Sequence, residues 1–144
     1  MSFSVIFLFD FLFSGALSTI MIAFWLKSSK DLPYNVYLDI YGVFIKTYEN
    51  KLTWAGAFIF LLTLGLIPFQ NNFASIFLIL SIIFLLGAGI VTRIYMKPLQ
   101  KQIVRWSKER MPNRWEYVRN SWLNFHIVRT VFILLSFLLI ILSI

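Results

Sequence analysis

The sequence predicts an all-α integral membrane protein: a four-helix bundle with an amphipathic interfacial helix in its first cytoplasmic loop and a helical, basic second cytoplasmic loop. Of the 144 residues, 60% are hydrophobic and 13% are charged, whereas soluble domains average about 45–50% and about 25%. Four apolar stretches also approach the roughly 20 residues that a helix needs to cross the hydrocarbon core. The length allows a single membrane domain, residues 1–144.

The predicted spans cover about residues 4–26, 52–69, 73–92 and 122–144. The first holds one charge, Asp10, and lacks the basic region and cleavage site of a removable signal peptide, so we expect it to be retained. The second closes at Pro68, and the polar residues 70–72 predict a tight turn into the third. The fourth is interrupted only by His126 and Arg129. Because both are costly inside a bilayer, they are candidate functional residues.

The basic residues predict the orientation of the chain. Four lie between the first two spans and eight between residues 93 and 119, which together make 12 of the 13 Lys and Arg. The positive-inside rule places both loops in the cytoplasm and both termini outside, as in a bacterial inner membrane protein. This rule accounts for the net charge of +7. We therefore expect membrane lipids as partners, and no nucleic acid.

Residues 33–49 of the first loop predict the interfacial helix, beginning near Pro33 and ending near Asn50. Its aromatic residues recur at steps of three or four and share one face: Tyr34, Tyr37, Tyr41, Phe44 and Tyr48. Two interpretations are open. The helix lies flat among the lipid headgroups, or it forms a lid whose residues Tyr37 and Tyr41 offer rings and hydroxyls to a ligand.

The basic cytoplasmic segment, about residues 93–121, contains a second helical pattern. Residues 98–110 predict a helix that is broken at Met111 and Pro112. Asn113 is a candidate cap for the next helix, with Glu116 three residues on, as in a capping box. From there the helical pattern continues from Arg114 to Ser143 without interruption.

A polar and aromatic stripe follows this last helix. Its members recur at steps of 4, 3, 4 and 3 and share one face: Trp115, Arg119, Trp122, His126 and Arg129. Such residues either contact a ligand or serve the structure. In the structural alternative, Arg129 extends towards the lipid phosphates and His126 hydrogen-bonds a neighbouring helix. Asp10 is placed nearer the outer face, so a direct pair with Arg129 needs a favourable tilt.

The stripe, with the run from Arg93 to Pro98 before it and Thr130 after it, resembles the anthrone-oxygenase-like family of small four-span membrane proteins. Many members are catalogued only as a domain of unknown function. The layout is similar over nearly the whole chain, and the motif-level match is confined to the last third. Some members are implicated in oxygenating anthrone-type polyketides to quinones without an obvious metal or flavin. The resemblance therefore implies a flat lipophilic aromatic substrate and no cofactor.

The same resemblance implies roles for individual residues. His126 is the candidate general base that removes a proton next to a carbonyl, and Arg129 or Arg119 would stabilise the enolate oxygen. Trp115 and Trp122 are candidates for stacking on the ring. The chain has no cysteine and one histidine, which excludes thiolate chemistry and multi-histidine metal sites within one copy.

A non-catalytic function explains the same pattern. In this alternative the chain is an accessory or structural subunit of a membrane complex, or a module that binds a lipophilic molecule. Its partner would then be another membrane protein or a second copy of the chain. The sequence alone leaves open whether the protein is an enzyme.

Overall fold

The computed structural model describes residues 3–44, 47, 50–69 and 71–143, and the side chains of 15–28, 30–44, 47, 51, 53–68 and 71–143. This part of the chain is all-α and contains no strand, which confirms the all-α part of the predicted fold class. The α-helices are α1 (Phe3–Ser28), α2 (Tyr34–Phe44), α3 (Asn50–Leu66), α4 (Asn72–Ile90), α5 (Lys97–Val104) and α6 (Trp115–Ser143). Short 3₁₀ turns follow α1 and α3, at Ser29–Asp31 and Ile67–Phe69.

Asn71, in the predicted turn after the second apolar stretch, caps α4, while residue 70 lies outside the described residues. The side-chain oxygen of Asn71 accepts a hydrogen bond of 2.8 Å from the backbone N–H of Ala74, which caps the first turn of the helix. At the other end, α4 continues without a break into α5 through a π-helical segment, Val91–Met96. The expected helix over 98–110 is therefore the end of one long helix, and it stops at Val104.

Helix α6 lies at the centre of the fold, against α4 and α1, while α3 packs on α4. Ser81 and Ser136 share a buried hydrogen bond of 2.8 Å between their hydroxyls. Farther along α4, the ring of Phe132 lies against Gly87. Since residue numbers rise along α4 as they fall along α6, the two helices are antiparallel. Close approach at Gly87 is what permits the Phe132 ring to fill the interface.

Helix α2 runs alongside the first turns of α6 in the same direction. Tyr34 contacts Trp115, with ring centroids 5.1 Å apart, and Tyr41 contacts Trp122 at 4.7 Å. Phe44, at the end of α2, reaches His126 at 6.4 Å. Successive residues of α2 therefore contact successive turns of α6, which shows that α2 lies lengthwise along α6. A helix that crossed α6 at a steep angle would contact it at one place only. The outward residues of α2 include Val36 and Val43.

Helix α2 is described from Tyr34 to Phe44, within the expected 33–49, and residues 45, 46, 48 and 49 lie outside the described residues. Asn50, expected near the end of the interfacial helix, is the first residue of α3. Tyr48 lies outside the described residues, as does the side chain of Asp10. The start of α6 at Trp115 is one residue later than expected. Arg114, just before it, has a positive φ of 65°, and no hydrogen bond of the Asn113 side chain is described.

The surface of the described part is strongly apolar. Large side chains such as Phe24, Trp54 and Phe73 are more than two-thirds exposed. The helical stretches Asn72–Val104, with 33 residues, and Trp115–Ser143, with 29, are long and apolar enough to cross a membrane. Gly15–Ser28 and Thr53–Leu66 are shorter apolar helical stretches. These two long apolar helices indicate membrane association.

Candidate functional site

All five residues of the predicted stripe are buried on one face of α6, and none has more than 9% of its surface exposed. They form two groups along the helix. Trp115 and Arg119 pack under the first half of α2, and Trp122 and His126 under its second half. Arg129 follows one turn further on. Burial of these polar side chains separates them from the lipid-facing surface, in contrast to the structural alternative in which Arg129 extends outwards.

Arg119 lies among aromatic rings. Its guanidinium carbon is 4.6 Å from the centroid of the Trp115 ring and 5.8 Å from that of Tyr37, distances typical of cation–π contacts. Its Nε donates a hydrogen bond of 3.2 Å to the side-chain oxygen of Asn120. Burial raises the pKa of the Tyr37 hydroxyl well above its ordinary value, although the positive charge of Arg119 opposes that rise. The phenol therefore stays protonated at physiological pH.

His126 is held by two neighbours on its own helix. Its ring stacks on Trp122, with centroids 5.2 Å apart and planes inclined by 21°. Its Nδ1 lies 2.8 Å from Nη2 of Arg129. A guanidinium can only donate hydrogen bonds, so Nδ1 is the acceptor and the neutral imidazole carries its proton on Nε2. The geometry thus fixes the tautomer of the ring.

Several buried polar atoms at this face have no hydrogen-bond partner among the described residues. They include Nε2 of His126, Nε1 of Trp122 and the hydroxyl of Tyr37. Leaving a buried donor unpaired costs about 1–3 kcal/mol, and folded proteins pair nearly all such groups. These unpaired donors are candidates for contact with a polar group of a ligand.

The cavity described at this face is small. A cavity of about 10 Å³ is lined by Leu26, Lys30, Tyr37, Arg119, Trp122 and Leu123, and this volume is at the lower limit for one water molecule. Neither His126 nor Arg129 lines it. The rings of α2 fill the remaining volume above the stripe. In this conformation the site is closed to a molecule of several rings.

Two contacts hold α2 to the loop after α5. The hydroxyl of Tyr34 donates to the backbone oxygen of Ser107 over 2.9 Å, and Lys108 pairs with Asp39 at 2.6 Å. The ion pair is more than half exposed and therefore weak. These contacts tie the covering helix down at its N-terminal half.

Two further polar residues, Lys30 and Gln100, do not belong to the predicted stripe. Lys30 lines the cavity, but its position after α1 gives no helical register to relate it to α6. Gln100 is buried on α5 and its side-chain nitrogen has no partner among the described residues. Gln100 lies four residues after Met96 and three before Ile103, and both of these residues are buried. This helical spacing is the sequence signal that places Gln100 on a buried face. Within the described part of the chain, no group of three His, Asp or Glu residues could hold a metal ion.

The fold and the buried stripe define an all-α protein with long apolar helices and a closed, aromatic-lined polar site. A family model described as anthrone oxygenase matches residues 43–139. The match covers more than half of the chain, which therefore belongs to the anthrone oxygenase family. It includes the whole stripe and excludes Tyr37 and Tyr41. No curated protein and no solved structure matches the chain significantly.

Proposed function

We propose that the protein is a four-span membrane protein that binds a flat lipophilic aromatic molecule beneath α2 and oxygenates it, with both basic loops in the cytoplasm and both termini outside a bacterial inner membrane. The spans are α1, α3, α4 and α6, and α5 extends the third span into the basic cytoplasmic segment. The observation that carries the proposal is the hydrogen bond from Arg129 to Nδ1 of His126. It leaves the Nε2–H of a buried ring without a partner among the residues that the structure describes.

This geometry favours a donor role for His126. Its Nε2–H would donate to the carbonyl oxygen of the substrate and stabilise the enolate that forms when the methylene carbon conjugated with that carbonyl loses a proton to water. The peroxide that forms next would take a proton back from water before it eliminates H₂O. To act as the general base expected from the sequence, the ring must first break its contact with Arg129 and move its proton to Nδ1. A neutral imidazole held in one tautomer is a suitable donor to a developing oxyanion.

The reaction needs an oxidant, which is dioxygen. Loss of a proton from the methylene group next to the ring system leaves an electron-rich carbanion that dioxygen oxidises. Formation of a carbon–oxygen bond and loss of one water then convert the methylene and one O₂ into a carbonyl and H₂O. Trp122 and Trp115 would stack on the substrate rings, with Tyr37 and Tyr41 above them on α2.

Binding requires α2 to move, because its aromatic residues occupy the space above the stripe. The contacts of Tyr34 with Ser107 and of Asp39 with Lys108 are the ones that such a motion would break first. In this proposal α2 serves as a lid over the stripe, which is the second of the two interpretations of its sequence. Opening towards the cytoplasmic boundary of the membrane would admit a lipophilic substrate from the bilayer.

The experiment is a comparison of H126Q with H126A. Glutamine places an amide N–H₂ near the position of the imidazole Nε2 and keeps a donor there, whereas alanine keeps neither donor nor base. Membranes containing each full-length variant are assayed for conversion of anthrone to anthraquinone, with oxygen uptake measured in parallel. If His126 acts as a donor, H126A should oxidise anthrone about 10²–10³-fold more slowly than the wild type. H126Q should then retain most of the wild-type rate.

Equal loss in both variants contradicts the donor role and favours a base at His126. The matched control is R110Q, which removes an exposed arginine of the basic loop and should oxidise anthrone at the wild-type rate. If membranes that contain the wild-type protein oxidise anthrone no faster than membranes that lack it, the oxygenase function is refuted.

The closed site supports a second candidate function. A cavity of about 10 Å³ between tightly stacked rings also suits a non-catalytic accessory subunit of a membrane complex, or a homo-oligomer. In that case the rings only hold α2 on α6. Purification in mild detergent distinguishes the two: a stable complex with another membrane protein, together with no oxidation of anthrone, would establish the accessory role.

A further inference from the structure

A row of basic side chains follows the apolar part of α4. Its members recur at steps of four and are exposed or half-buried: Arg93, Lys97, Lys101 and Arg105. The first three lie on one continuous helix, because the π-helical segment Val91–Met96 joins α4 to α5, and Arg105 directly follows the last turn. The buried side of this helix carries Met96, Gln100 and Ile103. The basic row therefore faces away from the core of the protein.

The π-helical segment helps to keep this row on one side of the helix. An α-helix has about 3.6 residues per turn, so each step of four overshoots a full turn by about 40°. In the π-helical segment the backbone N–H of Lys97 donates to the oxygen of Thr92, five residues earlier. A step of four there falls short of a full turn. This shortfall between Arg93 and Lys97 offsets part of the later overshoot, and the four cations stay neighbours on one face.

No member of the row forms an ion pair within the part of the chain that the structure describes. The described ion pair joins Asp39 to Lys108, and Lys108 lies outside the row. Residues 50–108 contain no Asp or Glu, so the helix that carries the row supplies no carboxylate of its own. Like charges four residues apart on a helix destabilise it. An anionic partner would relieve this repulsion.

The row begins at the depth where the hydrocarbon layer ends. Arg93 comes 21 residues after Asn72, the first residue of α4, which is about 31 Å along the helix axis, and the hydrocarbon core is about 30 Å thick. The later members follow at intervals of about 6 Å. Tyr95, beside Arg93, is 48% exposed and stacks on Phe125 with ring centroids 4.7 Å apart. A half-exposed tyrosine ring is typical of the headgroup level.

We propose that this row is a binding surface for the headgroup of an anionic phospholipid. The inference rests on the membrane arrangement of the proposed function and is independent of its chemistry. Guanidinium and ammonium groups donate charge-assisted hydrogen bonds to phosphate oxygens. Clusters of about four to eight Lys or Arg residues directly after a span are typical of anionic-lipid binding. Long side chains allow Lys101 and Arg105 to reach back towards the phosphates.

The test compares two variants that lose the same charge. The first neutralises the row: R93Q/K97Q/K101Q/R105Q. The control neutralises four exposed cations outside the row: K27Q/K51Q/R110Q/R114Q. The full-length proteins are purified in a nonionic detergent and titrated with phosphatidylglycerol or phosphatidylcholine, and bound lipid is measured by native mass spectrometry. The wild type and the control should bind phosphatidylglycerol about tenfold more tightly than phosphatidylcholine, the gain expected from charge-assisted hydrogen bonds. The row variant should lose this preference.

The outcomes separate the row from a general attraction between cations and lipid. Equal loss of the preference in the two variants overturns the inference, because total charge would then explain the binding. Equal binding of both lipids by the wild type also overturns it and leaves the membrane arrangement intact, whereas failure of both lipids to bind contradicts that arrangement itself.

Two double variants keep the test decisive if the fourfold row variant does not fold. R93Q/K97Q and K101Q/R105Q each remove half of the row and should each reduce the preference for phosphatidylglycerol about threefold. An unchanged preference in both double variants overturns the inference. The measurement involves no turnover, so its result does not depend on whether the protein oxidises anthrone.

Discussion

Replacing Arg129 by methionine is expected to release the ring of His126 from a single tautomer. In the wild type, Nη2 of Arg129 donates to Nδ1 over 2.8 Å, and both side chains are at least 94% buried. A hydrogen bond from a charged donor contributes about 1.5–3 kcal/mol, which corresponds to a bias of roughly 10- to 150-fold towards the Nε2–H tautomer. R129M removes the donor and keeps a similar side-chain length.

The assay uses the fact that the chain has one histidine. Long-range ¹H–¹⁵N NMR of protein labelled at the histidine ring nitrogens, in detergent micelles, then reports on His126 alone. The wild type should show an unprotonated Nδ1 and a protonated Nε2, and R129M a mixture of both tautomers. R114M, which replaces an exposed arginine, is the control and should leave the spectrum unchanged. A wild-type ring protonated at Nδ1, or a spectrum that R129M does not alter, would refute the assignment.

Two further predictions concern packing around the site. A Cβ added at Gly87 would meet the Phe132 ring at 3.0 Å, whereas at Gly89 nothing lies within 4 Å. G87A should therefore lower the free energy of unfolding by about 1–3 kcal/mol, while G89A should raise it by about 0.4–1 kcal/mol. Thermal unfolding in detergent measures both changes. Equal effects of the two substitutions would contradict the described interface between α4 and α6. Y34F removes the hydrogen bond to Ser107, worth about 1 kcal/mol, and should speed hydrogen exchange in α2 about fivefold without affecting α6. Unchanged exchange would show that this bond does not hold α2 in place.

The sequence could predict the helices and much of the site's composition because both depend on local spacing. Steps of three and four along α6 place Trp115 and His126 on one face whatever surrounds them. The turn at Asn71 likewise follows from a side chain that caps its own helix. The separate helix expected over 98–110 is instead the end of one long helix, and the reason is also local. A π-helical segment changes the hydrogen-bond pattern while the helix continues, and no spacing of side chains reveals it.

What the sequence alone determined is which residues share a face and which segments are apolar. Only the tertiary structure decided what each face meets. The aromatic face of α2 fits either headgroups or a lid, and its packing along α6 depends on contacts between residues about 80 positions apart. The tautomer of His126 depends on the side-chain conformation that brings Arg129 to Nδ1. Lys30 joins Arg119 at one cavity because separate helices meet there, and periodicity within a helix carries no information on how helices meet.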